Sequence, residues 1–96
     1  MAENNENKTQ AQMMDIFVKE LPQLRKSSDI SQTTLGQRLG LSRQTISSIE
    51  RGEVPITWSV YVAAVTLFYE SKNIKDSEML NFITTNRNYI IKFLNG

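Results

Sequence analysis

The sequence contains no cysteine and no histidine. The first absence excludes disulfides, thiolate nucleophiles and cysteine-based zinc sites. The second removes the commonest metal ligand and the base of a Ser–His–Asp triad. Only two prolines and four glycines punctuate 96 residues, and strand-like alternation is missing. No run approaches the ~18 consecutive apolar residues that would span a membrane. The carboxylates are scattered without a paired site, and no glycine-rich phosphate loop is present. These absences lead to an expectation of no enzyme activity, no cofactor and no metal. The opening residues MAENNENKTQ lack the apolar stretch of a signal peptide, so residues 1–10 read as a disordered polar tail and the address as cytoplasmic.

What is present is an ordinary small-domain composition, 40% hydrophobic and 22% charged, with a net charge of only +1. That charge is unevenly placed. Residues 19–52 carry Lys19, Arg25, Lys26, Arg38, Arg43 and Arg51 against Glu20, Asp29 and Glu50, while residues 1–18 are net acidic and residues 53–96 are balanced. A modest central excess suits a polyanion but does not by itself distinguish one from a solvated surface.

Apolar periodicity divides the chain into five helices. The first runs from Ala11 to Ser27 on Met13, Met14, Phe17, Leu21 and Leu24, with a kink or restart expected at Pro22 because proline removes a backbone donor and clashes with the preceding turn. Ser31 caps a second helix over Gln32–Leu39, and Gly40 stands where a left-handed C-terminal cap belongs. Ser42 caps a third helix from Arg43 to Glu50 or Arg51, which Gly52 stops. A fourth begins near Thr57, and a fifth, capped by Asp76 or Ser77, reaches Leu94.

The informative stretch is SQTTLGQRLGLSRQTISSIERG, residues 31–52. Gly36 allows two steeply crossing helices to approach, and Gly40 supplies the positive φ of the sharp turn. Leu35, Leu39, Leu41, Ile46 and Ile49 form an apolar wedge that fixes the crossing. Outward on the third helix stand Arg43, Gln44, Ser47 and Ser48. Arginine matches the guanine O6/N7 pair, and glutamine the adenine N6/N7 pair.

This stretch resembles the helix–turn–helix of phage-repressor and Cro-type regulators, the XRE-like family, and the resemblance extends from about Leu21 to Leu67. It implies an all-α, five-helix repressor-type DNA-binding domain; the fifth helix is longer than the family's short one, so the extended C-terminal helix is read on its own periodicity. The resemblance further implies base reading by Arg43, Gln44, Ser47 and Ser48, backbone contacts from Gln32, Thr45 and Arg51, and structural roles for Gly36, Gly40 and an Arg25–Glu50 ion pair. The domain plan is a tail over 1–10, a DNA-binding unit over 11–70 and a C-terminal helix over 71–96 assigned to dimerisation. The sequence departs from the family at Pro22, at the late cap Thr57 and at Trp58, where the family is usually polar.

At 100° per residue the apolar side chains of the fifth helix cover an arc of about 200°, twice what a one-sided surface helix needs. One flank, Leu80/Ile83/Ile91/Leu94, is assigned to its own domain, and the other, with Phe82, Tyr89, Phe93 and Ile90, to a second copy. The two sides could also be exchanged. The expected function is a homodimeric, sequence-specific repressor of phage, plasmid or mobile-element type, binding a pseudo-palindromic operator in double-stranded DNA. An antitoxin or a restriction–modification controller shares the same core, and a toxin or antirepressor is a compatible partner protein. A protein-interaction module that has lost DNA binding is the alternative from another class.

Overall fold

A computed structural model describes residues 8–96 and shows five helices: α1 (Gln10–Ser28), α2 (Gln32–Leu39), α3 (Arg43–Glu50), α4 (Trp58–Ser71) and α5 (Ser77–Leu94). No strand occurs among the described residues, so the fold is all-α. Residues 1–7 of the expected tail lie outside the described residues. The remainder of that tail is structured. Thr9 accepts from the Gln12 backbone N–H at 3.1 Å, and the Thr9 N–H donates to the Gln12 side chain at 2.9 Å. This reciprocal capping box starts α1 at Gln10, one residue earlier than the apolar pattern indicates.

Of the two outcomes expected at Pro22 the restart is absent, since the proline lies inside one α1 running from Gln10 to Ser28. Phe17, Leu21 and Leu24 are buried on either side of it, and Pro22 itself is exposed. An interior proline costs about 3 kcal/mol, whereas burying each of these three side chains stabilises by about 1.5–3 kcal/mol. Packing therefore outweighs the lost backbone bond, and the proline's face is open to water that can satisfy the orphaned carbonyl.

Between α2 and α3 the chain turns on Gly40, at φ 73°. The Leu41 N–H donates to the Gly36 carbonyl at 2.8 Å. A Cβ built on Gly36 would lie 2.5 Å from the Leu41 carbonyl oxygen. The space that Gly36 keeps clear is thus filled by the backbone of the turn itself.

The core draws on every helix: Phe17, Leu21 and Leu24 from α1, Leu35 from α2, Ile46 from α3, Tyr61, Ala64, Val65 and Phe68 from α4, and Met79, Ile83 and Ile90 from α5. α5 inserts into the same core as the other four helices. The loop before α5 is also tied down. Lys75 donates from its N–H to the Ser27 carbonyl and from Nζ to Asp29 at 2.6 Å.

On α5 the expected own-domain flank divides: Ile83 is buried as expected, while Leu80, Ile91 and Leu94 are exposed. Ile90, expected at a dimer contact, is buried in the core beside Ile83. Phe82 stacks on Phe17 with centroids 6.4 Å apart, and Phe93 leans on Trp58 at 4.8 Å. Tyr89 is half-buried. The open side of α5 carries Leu80, Ile91 and Leu94, at 45%, 38% and 64% exposure, and Phe93, beside Trp58, is also 50% exposed. The cause is the position of α1 and the start of α4, whose aromatic side chains cover the Phe82 side.

Within this core sits a polar pair. The Tyr61 hydroxyl donates to Asn86 Oδ1 at 2.7 Å, and Asn86 Nδ2 donates to the Phe82 carbonyl at 2.9 Å. Burial, with a smaller effect from nearby Tyr89, pushes ionisation of the Tyr61 hydroxyl well above its ordinary range. Tyr61→Phe leaves the buried Asn86 oxygen unpartnered and should lower stability by about 1–3 kcal/mol, read by urea denaturation. Adding Asn86→Leu should restore part of that loss. Gly36→Ala should destabilise by about 1–3 kcal/mol through overlap with the Leu41 carbonyl, seen as a lowered thermal midpoint.

Candidate nucleic-acid interface

Helix α3 is eight residues long and has two dissimilar sides. Ile46 and Ile49 are buried and anchor it. At 100° per residue, Arg43, Gln44, Ser47 and Ser48 fall within a strip of about 140° on the opposite side. Arg43 and Gln44, in the first turn, are exposed, and Ser47 and Ser48 are half-buried. Ser42 caps the helix by accepting from the Thr45 N–H at 3.0 Å, and its hydroxyl also bonds the Thr45 hydroxyl at 2.9 Å. Thr45 is thereby committed to the cap at the helix start. Arg43 makes no ion pair among the described residues, so its guanidinium is available.

The inner end of α3 is held by one carboxylate. Glu50 accepts from Arg25 Nε at 2.6 Å and from Arg25 Nη2 at 3.0 Å, a two-point fork. Its Oε1 also accepts from Gln32 Nε2 at 3.0 Å. Arg25 Nη1 donates in turn to the Ile30 carbonyl at 3.3 Å. A negative charge at a helix C-terminus opposes the helix dipole. Here it is tolerated because α1 supplies the guanidinium and α2 supplies the amide. The Arg25–Glu50 pair is formed as the family resemblance implies. The Gln32 link is additional, and it places a side chain expected on a DNA phosphate at the junction of three helices.

Arg51, just past α3, folds back along the helix. Its Nε and Nη2 grip the two oxygens of Glu53 at 2.9 and 3.0 Å. Nη1 donates to the Ser47 hydroxyl, and Nη2 lies 3.5 Å from the Ser48 hydroxyl. The hydrogen bond to Arg51, reinforced by its charge, holds the Glu53 carboxyl below its usual range, and the same contact raises Arg51. Three residues expected to face DNA, Ser47, Ser48 and Arg51, are thus joined to one another through the Arg51 guanidinium, which is itself held by an acid that sequence reasoning overlooked. The signal was present in Arg51-Gly52-Glu53: Gly52, at φ 76°, reverses the chain and returns the carboxylate toward the arginine.

No helix among the described residues is long and apolar enough to cross a membrane. A protein-family model described as a helix-turn-helix domain matches residues 16–70, from within α1 to the last turn of α4. No curated protein and no solved structure matches the chain. The matched span contains the Gly36–Gly40 turn, the Glu50 cluster and the whole exposed strip of α3. With that model covering more than half of its length, the chain belongs to the helix-turn-helix domain family, of the XRE/Cro-type kind, an all-α DNA-binding fold.

Proposed function

We propose that the protein is a homodimeric transcriptional repressor of phage, plasmid or mobile-element type that reads a pseudo-palindromic operator through α3. The observation that carries this reading is the pairing of Arg43 and Gln44, exposed side by side in the first turn of a helix whose other side is locked by Ile46 and Ile49. Those two side chains present the donors and acceptors that match guanine and adenine edges in the major groove. Ser47 and Ser48 extend the same strip, and the backbone contacts that fix its register are assigned to Thr45, Gln32 and Arg51, whose present hydrogen bonds would then be exchanged on binding. Binding and release need no cofactor, metal or catalytic residue, and the setting we propose is cytoplasmic.

The dimer follows from two considerations. A head with few unpaired cations near α3 gains little from counterion release and holds one half-site weakly. Two heads on a twofold axis read half-sites about 34 Å apart, or a multiple of that. The surface we assign to the contact is the open flank of α5, where Leu80, Ile91 and Leu94 align at helical spacing.

Three outcomes test the reading. Selection from a random duplex pool should return a twofold-related motif. Arg43→Ala should cost about 1–3 kcal/mol at one base position and relax specificity there, measured by titrating the selected duplex and its point-substituted forms. Unchanged binding in both Arg43→Ala and Gln44→Ala would refute α3 as the reading helix. Leu80→Glu combined with Ile91→Glu should convert a dimer to a monomer in sedimentation while leaving helicity intact, because both positions are exposed.

A further inference from the structure

Arg51 is the cation nearest the exposed strip of α3 after Arg43, yet its donors are already engaged. The Nε/Nη2 edge is the one that would chelate a phosphate, and it is occupied by both oxygens of Glu53. The Nη1 side rests on Ser47. Glu53 therefore occupies the place of a phosphate, and the Ser47 and Ser48 hydroxyls are held by the same guanidinium. The pair is fully open to water, with both side chains more than half exposed. Exposed pairs of this kind are weakly held. A duplex offers one phosphate per ~1.7 Å of axis together with counterion release. The two acceptors are chemically alike, so they compete for one edge of one arginine.

We propose that Glu53 is a positioning residue of the DNA interface: it stows Arg51 across Ser47 and Ser48 in the free protein, and Arg51 grips the DNA backbone only by exchanging this carboxylate for a phosphate. The inference rests on the DNA-binding reading above and adds a named competitor to it. Because a phosphate contact carries no sequence information, the competition weakens binding to every duplex by the same factor. Release of Arg51 also frees the two serine hydroxyls, so backbone engagement and exposure of the lower half of the reading strip occur together.

The experiment titrates the full chain with a duplex selected from a random pool and with a scrambled duplex of equal length. Glu53→Gln should raise affinity for both by roughly two- to five-fold, the scale of one exposed ion pair. Glu53→Asp, which keeps the carboxylate, should return affinity toward that of the parent. Thermal stability should fall only slightly in Glu53→Gln, by no more than one exposed ion pair contributes, and less in Glu53→Asp. In an Arg51→Gln background the gain from Glu53→Gln should vanish. An equal gain in that background would overturn the proposal, since the effect would then be bulk charge alone. An unchanged or weaker affinity for Glu53→Gln would overturn it as well. If the parent protein bound neither duplex, the DNA-binding reading itself would fall; binding without the Arg51-dependent gain removes only the role of Glu53.

Discussion

The position of α3 depends on a contact in which only a hydrogen atom fits. Gly36 faces the carbonyl oxygen of Leu41 at a distance no side chain could occupy, and the Leu41 N–H closes back on the Gly36 carbonyl. This double approach ties the interior of α2 to the turn that follows it and sets the angle at which α3 leaves that turn. Every later feature of the interface inherits that angle. The apolar wedge of Leu35, Ile46 and Ile49 stabilises the arrangement but does not define it as sharply, because hydrophobic burial has no direction. Direction comes from the backbone contact at one end of α3 and from Glu50 at the other.

Glu50 and Glu53 are three residues apart and perform opposite tasks. Glu50 is largely buried and satisfied by Arg25 and Gln32, so breaking it would leave a charge without solvent. It is a fixed joint. Glu53 is open to water, and its partner can leave at little cost. Within a few residues at the end of α3, a buried carboxylate bonded to two helices is followed by one that is open to water.

The helix–turn–helix was legible because its requirements are local. Ser31, Gly36, Gly40, Ser42 and Gly52 each answer a backbone demand that periodicity and capping rules express directly, and the bounds of α2 and α3 follow from them. The continuity of α1 through Pro22 was not legible, since it is decided by the burial of Phe17, Leu21 and Leu24 against distant helices. The Thr9–Gln12 box could have been read and was obscured by the polar composition around it. On α5, the width of the apolar arc was visible but its division was not: which flank turns inward depends on where α1 and Trp58 stand in space. Tyr61 and Asn86 are hydrogen-bonded partners 25 positions apart, a pairing that no local pattern expresses. The Arg51–Glu53 grip escaped for another reason. The resemblance assigns Arg51 a backbone contact and gives Glu53 no role, so their pairing had nothing to announce it.

The loop between α4 and α5 is pinned to the end of α1 by Lys75, and α5 is embedded in the common core. No pliable tether separates the surface that could join two copies from the surface that could touch a groove. A pair assembled along α5 would behave as a single stiff caliper, its two tips set at an invariable gauge. Inserting half a turn of DNA between the half-sites would then rotate one tip away from its target, and the protein would have no slack with which to follow.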